Sequence, residues 1–311
     1  MKVLVPIDGS SYSENSLAFL ASRRELFGEN PTIELLAVFD SVPGNPTECA
    51  AKRYCEEKAA DIFAPALKSL AGKRVTLMKT VLIGNPADQI AGEADRLGAD
   101  LIVMGSRGRT ALAGLFLGSV TNGVLKQTKI PVLIIRGQST PHREALRVGI
   151  AVDGSRYDLA AVRHVLANRA FFGKDAVFYL LHVANDYASA VYPDIFGMTL
   201  PTFSAQEIEA MQKKEFDEVL TPLLPLFTEA SITPKTVGLV GNAGDEIAAF
   251  AQNEGLDLVV MGSHGYGRIK SAVMGSTATR IASRGTVPLL VTQVTDDTDS
   301  QQSDCPTRNA R

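Results

Sequence analysis

Leu101-Ile102-Val103-Met104-Gly105-Ser106-Arg107-Gly108, followed after nine residues by Gly118-Ser119, decides how this chain is read. Four apolar residues in a row, without polar alternation, read as a strand buried on both faces, as in parallel sheets. A glycine-rich loop then leads to a hydroxyl residue positioned to cap a helix. Glycine lets the backbone approach closely with positive φ, and a helix N-terminus offers N–H groups without intrahelical partners, so the unit suits an anion. The unit returns as Leu258-Val259-Val260-Met261-Gly262-Ser263-His264-Gly265, again nine residues ahead of Gly275-Ser276. With 26 glycines in 311 residues, one copy is weak evidence. Two copies in matching surroundings are strong.

Working outward, the two halves of the chain align with each other. Asp8 and Asp153 lie 145 positions apart, as do Val38 and Val183. From the middle of the repeat the offset becomes 157, as in Gly84 and Gly241, Gly105 and Gly262, and Pro131 and Pro288. The second copy therefore carries 12 extra residues, assigned to Asn185–Gln206 or its surroundings. The chain divides into a first domain over 1–138, a linker over 139–145, a second domain over 146–294, and a polar, acidic tail over 295–311 that reads as disordered.

Each repeat alternates strand and helix. In the first, strands are expected at Val3–Ile7, Ile33–Phe39, Val75–Ile83, Leu101–Met104 and Val132–Arg136. The first helix is expected to open within Ser10–Glu14, with Ser11 and Glu14 as its capping box; the others span about 48–71, Ala87–Leu97 and, after Ser119, up to about Lys126. In the second, Ser155 with Asp158 offers an approximate helix cap after strand Arg147–Val152. Five strands alternating with four helices imply two tandem α/β domains, each a doubly wound, five-stranded parallel sheet.

Hydrophobic residues make up 45% and charged residues 21% of the chain, and its net charge of −3 gives no global attraction for nucleic acid or an anionic membrane. No apolar run approaches the ~20 residues that span a bilayer. The opening residues Met1–Asp8 read as a strand rather than a signal peptide. Cys49, Cys55 and Cys305 lack the spacing of a metal site, and a reducing, cytoplasmic setting is expected.

In a sheet of this kind ligands bind outside the carboxyl ends of the strands, where strand order reverses. Asp8 and Asp153 stand just past the first strand of each repeat, and the glycine loops just past the fourth. An acid there can accept hydrogen bonds from ribose hydroxyls or an adenine amine while loop N–H groups hold phosphates. Taken alone, Asp8-Gly9-Ser10 and Asp153-Gly154-Ser155 are equally turn and cap residues; their pairing with a downstream loop in both repeats favours a nucleotide. Arg107 and Arg109 read either as phosphate contacts or as solvated loop charges, His264 replaces Arg107 in the second repeat and reads as a bystander, and His182 is expected to be a buried, hydrogen-bonded strand residue.

The pattern Gly-x2-Gly-x9-Gly-Ser after a strand, with an early Asp, resembles the universal stress protein family, and its two copies resemble the tandem members. The resemblance spans roughly 1–136 and 146–293. It implies a Rossmann-like parallel α/β sandwich, akin to the adenine nucleotide α-hydrolases, that binds ATP with Mg2+ or Mn2+ through the phosphates and is not a dedicated catalyst. By that resemblance Asp8 and Val38 contact base and ribose, Met104 lines the pocket, and Gly105, Gly108, Gly118, Ser119 and Val120 hold phosphates, with Arg107 beside them. The counterparts are Asp153, Val183, Met261, Gly262, Gly265, Gly275, Ser276 and Thr277. The second repeat departs at Val152, set against Pro6, and at Thr277, set against Val120. The fifth strands of the repeats are expected to pack together as an intrachain pseudo-dimer, with a homodimer left open.

Other classes fail on residues. There is no Gly-x4-Gly-Lys-Ser/Thr, no Gly-x-Gly-x-x-Gly after the first strand, no Asp at the end of the third strand for phosphoacceptor chemistry, and no recurring Ser–His–Asp or Cys–His set. Two readings stay beside nucleotide binding: an apolar or lipid-like ligand under the 185–203 insertion of the second domain, and weak ATP hydrolysis. The apolar insertion also reads as a segment that packs over its domain or between the repeats.

Overall fold

The apolar runs become strands of one continuous sheet. The computed structural model describes residues 1–23, 31–44, 46–108, 117–137, 140–141, 143–187, 203–263, 275–284 and 287–293. The first half runs β1 (Lys2–Pro6), α1 (Ser11–Ser22), β2 (Thr32–Phe39), α2 (Glu48–Ser69), β3 (Thr76–Ile83), α3 (Pro86–Leu97), β4 (Leu101–Gly105), α4 (Ser119–Gln127), β5 (Val132–Ile135). The second begins β6 (Arg147–Ala151), α5 (Arg156–Ala167), α6 (Arg169–Phe172), β7 (Val177–Ala184), α7 (Ala205–Leu220) and α8 (Leu224–Glu229). It closes with β8 (Lys235–Val240), α9 (Ala243–Asn253), β9 (Leu258–Gly262), α10 (Ser276–Arg284) and β10 (Leu289–Thr292). The short α6 and the break between α7 and α8 depart from strict alternation; the break falls where Pro222 and Pro225 each start a new helical segment.

Strand order is β3-β2-β1-β4-β5-β10-β9-β6-β7-β8. Within each half all pairings are parallel, and order reverses between the first and fourth strands. The halves join where β5 and β10 pair antiparallel, Leu133 opposite Leu290. Because successive strand residues face opposite ways, two cores form. Val3, Val5, Val103, Val148 and Val260 belong to one, and Leu4, Ile102, Met104, Val259 and Met261 to the other. Each such side chain, fully buried, stabilises the fold by about 1.5–3 kcal/mol.

Arg23, at the end of α1, fastens the connection between the halves. Its side chain is buried, and Nη1 and Nη2 donate to the carbonyls of Glu144 and Arg143 at 2.9 and 2.7 Å. Phe19 of α1 also meets Phe171 of the second half, ring centroids 6.2 Å apart.

Three local readings are corrected. The α1 cap is Ser10, whose side chain accepts from the Ser13 N–H, so Ser11 and Glu14 make no capping box. Ser155 stands at the N-cap of α5 without a side-chain cap bond, and Asp158 instead reaches back to accept from Asp153 and Gly154. The counterpart of Pro6 is Ala151: Pro6 pairs with Leu36 and Ala151 with Leu181, while Val152 repeats the N–H bond of Ile7. The insertion is narrowed as well. Eight residues separate Phe39 from Glu48 and twenty separate Ala184 from Ala205, so the extra residues lie between β7 and α7. Of these, 188–202 lie outside the described residues, as does the 295–311 tail.

Candidate functional site

Two turns meet where strand order reverses. After β1 the chain turns through Gly9 at φ 75°, and the Ser10 N–H donates to Oδ1 of Asp8 at 3.0 Å. Asp8 is therefore a turn residue as well as a candidate ligand. After β4, Gly105 passes under α1 so closely that a Cβ there would stand 2.8 Å from the Tyr12 carbonyl oxygen. The loop is closed at both ends by backbone bonds, Ser106 N–H to Ile135 at 2.9 Å and Gly118 N–H to Ser106 at 2.8 Å. Buried Thr121 adds a hydroxyl donated to the Gly105 carbonyl at 3.1 Å.

The cap of α4 is Gly118 itself, with Ser119 the first helical residue, so the expected hydroxyl cap is absent. A glycine cap supplies no side-chain acceptor to the first N–H groups of the helix. Those groups therefore keep their capacity for an outside anion.

Between these turns and the start of α3 lies a cavity of about 900 Å3, in the range of small-molecule sites. Asp8, Val38, Met104, Gly105, Arg107, Gly108, Gly118, Ser119 and Val120 all line it, the whole set named for the first half. Its walls sort by chemistry. Leu36, Val38, Ile90 and Met104 make an apolar side; Asp8, Asp40 and Asp88 supply carboxylates; Arg107 and the α4 start supply positive potential. Behind Arg107 stands Arg136, which burial and the Arg107 charge push down to about 10.

Sequence reading missed Leu36, Asp40 and the Pro86–Asp88 turn. Leu36 sits two residues before Val38 on the same face of β2 and Asp40 two residues after it, one past the strand end, so strand period alone was the signal. The third is placed by Asn85, whose Oδ1 accepts from Ala87 at 3.0 Å to start α3.

The second half repeats much of this frame. Asp153 Oδ1 accepts from Ser155 at 3.1 Å, and Gly154 turns at φ 82°. The Ser263 N–H reaches Thr292 at 2.8 Å and the Gly275 N–H reaches Ser263 at 3.2 Å. Met261 and Val183 pack on the matching core, Gly262 ends β9, and Ser276 and Thr277 open α10. Gly265, with Arg109 and His264, lies outside the described residues. His182 is buried, its Nδ1 2.9 Å from the Val152 carbonyl and Nε2 3.5 Å from Oε1 of Glu215. It faces α7, away from the strand face that carries Val183.

Among the described residues no group of three His, Cys, Asp or Glu side chains could hold a metal, and no helix is long and apolar enough to cross a membrane.

The universal stress protein family profile matches the chain twice, over residues 1–136 and 145–293. A universal stress protein of Mycolicibacterium smegmatis is 26% identical over 299 residues, covering 93% of this chain and 96% of that one. One from Methanocaldococcus jannaschii is 30% identical over 138 residues, covering 43% of this chain and 81% of its own length. The crystal structure of a universal stress protein from Archaeoglobus fulgidus superposes with TM-score 0.66 at 21% identity, over 94% of this chain and 98% of that one, a likeness of fold.

Proposed function

The chain belongs to the universal stress protein family, whose role is in stress response, and on that footing we propose that its first half binds an adenine nucleotide, ATP. The observation that carries this is the convergence of Asp8, Val38 and the Gly105–Val120 residues on one cavity. In this reading the base lies against Val38 and Met104. Asp8 and Asp40 accept from ribose hydroxyls or the adenine amine. The phosphates lie on Gly108, Gly118, Ser119 and Arg107, where backbone N–H groups and a helix start favour negative charge.

A divalent cation, Mg2+ or Mn2+, fits as a companion of the phosphates. The described residues offer no protein cage for it, and Mg2+ is commonly held by phosphate oxygens, waters and one or two carboxylates. Asp8, Asp40 and Asp88 are the carboxylates at hand. The reading assigns binding rather than turnover: the nucleotide changes the conformation or association of the protein under stress. A cytoplasmic setting belongs to the same proposal and accords with free Cys49 and Cys55.

Isothermal titration of the full chain with ATP and Mg2+ tests it. Saturable binding that Gly118→Val weakens by about tenfold or more, 1.4 kcal/mol, is the expected result. No heat of binding up to millimolar ATP would sink the reading.

A further inference from the structure

The residues around the first cavity are not all repeated in the second half. Ser13 lines that cavity, and its counterpart, 145 positions on, is Asp158. Both are buried in the first turn of equivalent helices, α1 and α5. Ser13 donates its hydroxyl to the Ser10 carbonyl at 2.9 Å. Asp158 instead turns Oδ2 onto the N–H groups of Asp153 and Gly154, at 3.1 and 2.7 Å. A neutral hydroxyl has become a second carboxyl beside Asp153.

A second exchange changes the shape. Gly123 lines the first cavity, beside its contact with Ala87 of α3. Its counterpart is Arg280, whose stem lies across Gly244 so closely that a Cβ on that glycine would stand 2.4 Å from the Arg280 Cβ. The guanidinium ends on Asp245, Nε to Oδ2 3.0 Å. The α3–α4 contact that Gly123 makes against Ala87 in the first half is thus made in the second by the Arg280 stem against Gly244, so a long side chain stands where the first half has none. In sequence, moreover, His264 takes the position of Arg107.

The carboxylate of Asp158 and the exchange of Arg107 for His264 both weaken the hold on a polyanion, while Arg280, its charge paired with Asp245, acts by its bulk. A triphosphate is a polyanion, and a buried carboxylate repels it more strongly than an exposed one because little water screens the pair. Burial and the Asp153 charge push Asp158 up to about 7, so at pH 8 it stands as an anion. Resting on the reading of the first cavity as a nucleotide site, we propose that the chain takes one nucleoside triphosphate, in its first half, and that Asp158 and Arg280 close the second half to it. Duplication has kept the loop frame twice and its polyphosphate chemistry once.

Titration calorimetry of the full chain with ATP and Mg2+ at pH 8 reads this as a stoichiometry. One ATP per chain is expected, lost in Gly118→Val and unchanged in Gly275→Val. The double variant Asp158→Asn, Arg280→Gly is expected to show a second binding event. Asn keeps an acceptor for the two N–H groups, and Arg284 still holds Asp245 at 3.0 Å; circular dichroism checks that the variant is folded. Two equal events in the wild type, or loss of binding in Gly275→Val, would overturn the inference. So would a folded double variant that still takes a single ATP. Absence of any binding by the wild type overturns the nucleotide reading itself, and this inference with it.

Discussion

The carboxylate of Asp8 lies directly against Gly108: a Cβ built on that glycine would stand 2.8 Å from Oδ2. The turn after β1 and the loop after β4, a hundred residues apart in sequence, are therefore in contact. Asp8 is also held by the Ser10 N–H, so it does not swing away freely.

Gly108→Ala accordingly pushes the carboxylate out of place while leaving both cores untouched. ATP affinity is expected to fall about tenfold, 1.4 kcal/mol, with little change in melting temperature. Titration calorimetry beside a thermal melt checks both. Unchanged affinity would mean that Asp8 does not touch the ligand.

Gly123 and Ala87 set how closely α4 can approach α3, since a Cβ on Gly123 would stand 2.5 Å from the Ala87 Cβ. The second half solves the same contact with the small residue on the other helix, Gly244 facing Arg280. Gly123→Ala should cost about 1–3 kcal/mol by overpacking. Adding Ala87→Gly should recover most of it in a double-mutant cycle. Urea unfolding measures the coupling; additive losses would refute it.

Asp158 gives a signed dependence on pH. Its folded value of about 7 exceeds the ordinary Asp value, near 3.9, because burial, then the Asp153 charge, disfavours the anion. Between those values the folded chain keeps a proton that the unfolded chain has released. This group's contribution therefore falls as pH rises from about 4 to 7 and is flat above. His164 works the other way: burial pushes it down to about 4, so its contribution rises with pH from there towards the ordinary His range. Asp158→Asn removes only the first effect. From about pH 4.5 to pH 8 the unfolding free energy should move by about 3 kcal/mol in favour of the variant relative to wild type. A difference independent of pH would contradict this.

Arg23 predicts the behaviour of the linker. Arg23→Met keeps the stem but leaves the Arg143 and Glu144 carbonyls without their charged donors, a loss of about 1.5–3 kcal/mol for each bond. Tryptic cleavage after Arg143 should become several-fold faster than in the wild type, read by mass spectrometry of timed digests. Equal rates would place the hold on the linker elsewhere.

Much of the fold was legible because buried parallel strands must be apolar on both faces. Leu101–Met104 and Leu258–Met261 have no other comfortable setting. The first cavity was legible for a different reason: glycine, Asp and hydroxyl residues recur at fixed spacing in both halves. What escaped was set by three-dimensional contact. Ser10, Ser11 and Ser13 are alike as cap candidates, and only backbone geometry selects Ser10. Pro6 and Val152 look alike as ends of apolar strands, but the 145-residue offset already sets Pro6 with Ala151, and the ladder register agrees. The meanings of Gly123 and Arg280 depend on a helix facing them, which no spacing within one element reveals.

Whether the first cavity holds adenine nucleotide is read out by photolabelling the full chain with an azido-adenine analogue of ATP and mapping the modified peptides. Label is expected on the peptides carrying Val38 and Met104, removed by excess ATP. Label that ATP does not displace, or that falls only on second-half peptides, would contradict it.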